Sequence, residues 1–139
     1  MAVDLGRAQI RADLPGTLQY RDLVVRLVTS ASKLVEGADN LFRDQIVSAF
    51  SEAFNNIALH AYRGRGDGRV EVAIDYGLDF MTIRMVDSGK AFDPTQVVAP
   101  DLAALPESGM GLFIIRSFMD ELSYRPGPPN MLSMTKRVK

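Results

Sequence analysis

Apolar residues recur along this chain at two periods, and the switches between them mark out the elements. Residues 8–13 alternate and stop at Leu14-Pro15-Gly16, which predicts a short edge strand. Between 18 and 36, Leu18, Leu23, Val24, Leu27, Val28, Ala31, Leu34 and Val35 fall at helical spacing, and Gly37 closes the run. Asp39 or Asn40 can cap a second helix over about 41–62. Its apolar face would hold Phe42, Ile46, Phe50, Ala53, Phe54, Ile57 and Ala61. Gly64, Gly66 and Gly68 then break the chain. Val70, Val72 and Ile74 alternate with Glu71, Ala73 and Asp75, Tyr76-Gly77-Leu78-Asp79 reads as a hairpin connection, and 80–86 as the returning strand.

The periodicity fails from 87 to 108, a stretch that carries Gly89, Pro94, Pro100 and Pro106. An irregular connection this long inside a compact domain is often a functional lid. Leu112, Ile114, Ile115, Phe118 and Met119 predict a short helix just after Gly109-Met110-Gly111. Glu121–Arg125 and 131–138 predict two last strands around the turn Pro126-Gly127-Pro128-Pro129-Asn130. The order β-α-α-β-β-loop-α-β-β predicts an α+β fold. It would be a two-layer α/β sandwich, with a mixed, mostly antiparallel sheet and helices on one face.

Bulk properties narrow the function classes. A length of 139 residues suits one domain over 1–139, and 47% hydrophobic with 24% charged residues places the chain among globular proteins rather than disordered ones. A formal net charge of −1 supplies no basic field, so direct nucleic-acid binding is not expected. Cysteine is absent, which excludes disulfides, thiol catalysis and Cys-ligated zinc. The single His60 argues against a histidine metal site or a Ser/His/Asp triad. No apolar run approaches the roughly 18 residues of a membrane span. Asp4, Arg7 and Arg11 break any signal-peptide pattern. A cytoplasmic protein without membrane attachment is the expectation.

Three segments carry candidate chemistry. Ser48, Glu52, Asn56 and His60 recur every four residues along the second helix, with Asn55 beside them. Glu52 and Asn56 therefore present a carboxylate and an amide oxygen one turn apart. A hard cation such as Mg²⁺ takes oxygen ligands, and the carboxylate could accept a proton from an attacking hydroxyl. Consecutive asparagines also run against helix propensity, and broken local rules mark candidate sites. Taken alone, the stripe reads first as the solvated face of an amphipathic helix. Asp87-Ser88-Gly89 ends a strand, where a carboxylate can accept from an exocyclic amine such as adenine N6, and Gly89 lets a flat base approach. An ordinary Asp/Gly turn would look the same. Ser108-Gly109-Met110-Gly111-Leu112 opens a helix whose free N–H groups attract phosphate, although a flexible helix entry has the same pattern. It is neither a Walker P-loop nor a Rossmann fingerprint. His60 reads as a polar helix residue near the site, and Phe113 as near-core or as part of a protein interface.

In order, these segments resemble the Bergerat-fold ATPases, and more closely the anti-sigma-factor serine/threonine kinases of bacterial partner-switching systems. Ser51-Glu52-Ala53-Phe54-Asn55-Asn56-Ile57-Ala58-Leu59-His60-Ala61-Tyr62 resembles their N-box. Val86-Asp87-Ser88-Gly89-Lys90-Ala91-Phe92-Asp93-Pro94 resembles the G1 box, and Ser108-Gly109-Met110-Gly111-Leu112 with the following helix resembles the G2 box. The ending Asn130-Met131-Leu132-Ser133-Met134-Thr135-Lys136 is also similar to theirs. The resemblance implies ATP and Mg²⁺, with Glu52 as general base and Asn56 as both nucleotide contact and Mg²⁺ ligand. Asn55 would border the nucleotide, Asp87 would hold adenine N6, and Gly89 would pack by the base. Ser108, Gly109, Met110, Gly111 and Leu112 would cradle phosphates beneath a lid over about 91–108. It implies phosphorylation of an anti-sigma-factor antagonist, sequestration of a sigma factor or other regulator, and a homodimer, since members often dimerise.

The lid departs from the family pattern. Residues 91–108 contain no Lys or Arg, and Glu107 stands where some family kinases place a basic residue for the γ-phosphate. Compensating charge would have to come from Mg²⁺, backbone N–H groups or a cation elsewhere such as Lys90. The alternative expectation is a nucleotide-dependent binding module that sequesters a regulator with little or no kinase activity.

Overall fold

A computed structural model describes residues 7–63, 66–91 and 107–139, with backbone alone at 107–110. Nearly all of the expected lid lies outside the described residues. Strand β1 (Ala8–Pro15) leads through a 3₁₀ turn (Leu18–Tyr20) into α1 (Arg21–Ser32) and α2 (Asn40–Asn56). Strands β2 (Arg69–Tyr76) and β3 (Phe80–Asp87) follow, then α3 (Glu107–Phe118), β4 (Glu121–Arg125) and β5 (Asn130–Arg137). The strands form a five-stranded sheet in the order β1-β2-β3-β5-β4. The expected mostly antiparallel sheet is antiparallel at every described pairing.

Alternation in the strands decides which face is covered. Val70, Val72 and Ile74 of β2 and Met81, Ile83 and Met85 of β3 turn inward, while Glu71 and Arg84 lie on the other face. The inward rows meet Val24, Val28 and Ala31 of α1, Ile46, Phe50 and Phe54 of α2, and Leu112 and Ile115 of α3 in one core. The result is a two-layer α+β sandwich with an open sheet face. Among the described residues, no helix is long and apolar enough to cross a membrane.

The helices differ from the expected ones in ways that follow from local physics. Helix α1 is shorter than the expected run over 18–36: it buries the stripe Val24-Val28-Ala31 and ends at Ser32, so Leu23 on its outer side and Leu34 in the turn beyond it are 52% and 62% exposed. Helix α2 starts as expected: Asp39 Oδ1 accepts the Phe42 N–H at 2.8 Å and caps it. Its regular part ends at Asn56, and the chain continues as a π turn over Ile57–Ala61. The Tyr62 N–H reaches back five residues to the Ile57 carbonyl at 3.0 Å, a wider ring than the α-helix uses. Helix α3 begins at Glu107, so Gly109-Met110-Gly111 form its first turn instead of preceding it. At its other end, Lys136 Nζ donates to the Phe118 carbonyl at 2.7 Å and satisfies an acceptor the helix leaves open. Burial lowers the Lys136 pKa, with Asp120 opposing the shift.

Candidate functional site

Helix α2 is the element that the three sequence segments share. Its apolar residues lock it against the sheet, which leaves Glu52, Asn55 and Asn56 half-buried along the opposite edge. Glu52 meets the first turn of α3: a β-carbon at Gly111 would fall 2.4 Å from Glu52 Oε2. The close approach of carboxylate and helix therefore depends on a residue without a side chain. Glycine inside a helix costs about 1 kcal/mol relative to alanine, so this position runs against helix propensity.

One turn further, Asn56 and Asp87 line a single narrow cavity with Ala53, Ala61, Lys90, Tyr124 and Leu132. It measures about 20 Å³, room for about one water, so a purine would have to widen it. A larger cavity of about 450 Å³ lies on the open sheet face among Arg11, Glu71, Arg84 and Met131. It contains none of the three segments, and the narrow cavity is therefore the chemically informative one.

Asp87 closes β3 and is 7% exposed. Its Oδ1 accepts from the Gly89 N–H at 3.0 Å and from Asn130 Nδ2 at 3.1 Å. Asn130 faces it across the β3–β5 pairing and is 1% exposed. The same Nδ2 also donates to the Gly89 carbonyl at 2.9 Å, and Asn130 Oδ1 accepts the Gly127 N–H at 2.8 Å. Both of these bonds to the carboxylate end on one oxygen, Oδ1.

Gly89 packs against the π turn. A β-carbon there would lie 2.5 Å from the Ala61 carbonyl oxygen, and the next residue, Lys90, donates its N–H to that oxygen at 2.9 Å. Backbone cannot step aside as a flexible side chain can. Gly89→Ala should therefore cost about 1–3 kcal/mol, the range for overpacking a tight site. Thermal unfolding monitored by circular dichroism checks this, and a mutant as stable as the parent contradicts the close contact.

The remaining expected residues differ in placement. Asn55 turns toward α1, where its Oδ1 accepts from Arg21 Nη1 at 2.8 Å. Leu112 points into the core. Ser108, Gly109 and Met110 contribute backbone to the first turn of α3, and their side chains lie outside the described residues. The described residues contain no cluster of three His, Cys, Asp or Glu that could hold a metal ion alone. Asn56 offers one amide oxygen, a donor suited to a Mg²⁺ carried mainly by phosphates and water.

Sequence reasoning overlooked three supports. Asn130 was read from sequence as the last residue of the turn before the final strand; the structure makes it the first residue of that strand, and its role depends on register across β3 and β5. Tyr62 is buried with its ring against Gly16 and Gly68, and its hydroxyl accepts the Ser88 N–H at 2.8 Å. The glycines on either side of that tyrosine in space lie far apart in the chain, which hid the contact. Arg21 gave no signal at all.

A family model described as "Histidine kinase-like ATPase domain" matches residues 14–136. The chain is 30% identical over 139 residues to the serine-protein kinase RsbW of Staphylococcus aureus, covering 94% of this chain and 87% of that one. It is 34% identical over 86 residues to the anti-sigma F factor of Clostridium beijerinckii, which covers 57% of this chain and 58% of the relative. Among solved structures it resembles the RsbU and RsbW domains of a Mycobacterium tuberculosis protein, with a TM-score of 0.62 and 18% identity. That match covers 94% of this chain and 32% of the solved one, and at this identity it speaks for the fold alone.

Proposed function

We propose, since the chain belongs to the histidine kinase-like ATPase family and within it to the anti-sigma-factor serine kinases, that it is a cytoplasmic ATP-dependent protein kinase. Its substrate would be a serine or threonine on an anti-sigma-factor antagonist, and it would also sequester a sigma factor or similar regulator. The observation that carries this reading is the joint placement on α2 of Asn56, which shares a cavity with Asp87, and Glu52, which touches the first turn of α3.

The chemistry asked of the chain is modest. Asp87 Oδ2 would accept from the adenine amine, while Oδ1 stays fixed by Gly89 and Asn130. A guanine would present a carbonyl there and leave both groups unpaired. The phosphates would run along α2 toward the first turn of α3, whose unpaired N–H groups favour anions. Asn56 supplies the oxygen that would hold Mg²⁺, and the ion, when bound, neutralises charge on the phosphates. Glu52 would take the proton from the attacking hydroxyl as its oxygen bonds to the γ-phosphorus and the bond to ADP breaks.

A second reading has its own support. The sequence over 91–108 carries no Lys or Arg. A chain that binds nucleotide and exchanges partners without transferring phosphate would need no cation there. Radiolabelled ATP mixed with the cognate antagonist decides between the two. The kinase reading expects label on a serine or threonine of the antagonist. Bound nucleotide with an unlabelled antagonist would leave the binding module.

A further inference from the structure

Phosphoryl transfer spreads negative charge over the terminal phosphate, and enzymes that perform it place a cation there. Residues 91–108 offer none, and Glu107 ahead of the glycines is acidic. Among the described residues, Lys90 and Arg21 are cations beside α2. Lys90 lines the cavity with Asp87, at the end where the base would sit. Arg21, the exposed first residue of α1, donates through Nη1 to Asn55 Oδ1 at 2.8 Å. Asn55 follows Glu52 by three positions, and such neighbours on a helix are about 5–6 Å apart at their β-carbons.

The partner of Arg21 matters. Arg26, Arg69, Arg84 and Arg137 pair with carboxylates, and the adjacent Asp22 is taken by Arg26 at 3.0 Å. Among the described residues, Arg21 is held by the neutral amide of Asn55, which orients the guanidinium without neutralising it. A planar guanidinium so held keeps further N–H donors for a phosphate, which it can engage through two bonds at once.

On the reading that Asp87 receives adenine and the phosphates follow α2, we propose that Arg21 binds the terminal phosphate of ATP. It would take the place of the basic residue missing from the connection before α3. Asn55 is its positioning residue, and the pair makes the site sense the difference between ATP and ADP.

Calorimetry with the full chain tests this, using MgADP and the magnesium complex of a non-hydrolysable ATP analogue with an intact terminal phosphate. Arg21→Ala should weaken the analogue about tenfold or more, the loss of one charge-assisted contact, and leave ADP unchanged. Arg21→Lys should restore part of the loss. An Arg21→Ala protein that binds both nucleotides as the parent does, or loses both equally, overturns the proposal. Because ADP lacks the terminal phosphate, its binding reports the base site separately. A parent that binds neither nucleotide removes the underlying reading and this inference together.

Discussion

Glu52→Gln lowers phosphotransfer to the antagonist by about 10²–10⁴-fold, the usual contribution of a positioned general base, and leaves MgATP affinity unchanged. Glutamine keeps the length of the side chain and its contact with Gly111, so α3 stays where it is. It cannot accept the proton of the attacking hydroxyl. Glu52→Ala removes both the base and the surface on which the first turn of α3 rests. If Glu52 were only a spacer for α3, the glutamine variant would transfer phosphate normally and the alanine variant would not. Single-turnover transfer of labelled phosphate by both variants distinguishes these cases. A glutamine variant at the parental rate removes Glu52 from the chemistry.

Asp87→Ala weakens ATP binding by about 10- to 150-fold, the range for losing a hydrogen bond to a charged group. It also frees the Gly89 N–H, whose acceptor is Asp87 Oδ1. Some loss of stability, about 1–3 kcal/mol, accompanies the loss of affinity. The two effects separate because Asn130 Nδ2 keeps its second acceptor, the Gly89 carbonyl. The fold around the cavity therefore retains a tie between β5 and the end of β3. Calorimetry at a temperature well below the unfolding transition, run with ATP and GTP, checks the claim. The parent should prefer ATP, and an alanine variant with full ATP affinity would show that Asp87 serves the fold alone.

Much of this architecture was legible because burial is periodic. The two-residue alternation of Val70, Val72 and Ile74, and the four-residue rhythm of Phe42, Ile46, Phe50 and Phe54, each match one buried face. Helix α1 was overread, since a leucine beside a stripe or just past a helix end looks like a member of it; Leu23 and Leu34 belong to the surface. Helix ends were harder still. The π turn at 57–61 has no signature distinct from continued helix, and a glycine pair in a first turn looks like a loop. At the candidate site, Glu52, Asn56 and Asp87 stood out because polar residues interrupted regular patterns. Asn130, Tyr62 and Arg21 did not, because each acts through a partner at least 26 residues away along the chain. Gly89 was expected from sequence to pack by the base, and what the structure shows is its close packing against Ala61.

The most direct test follows backbone amide signals during titration with MgATP. One nucleotide spanning the cleft should shift the amides of Asn56, Gly89 and Gly111 together, with a common midpoint. Silence at all three, or a response at Gly89 with Gly111 unmoved, would mean that α2, the end of β3 and the first turn of α3 do not enclose one ligand.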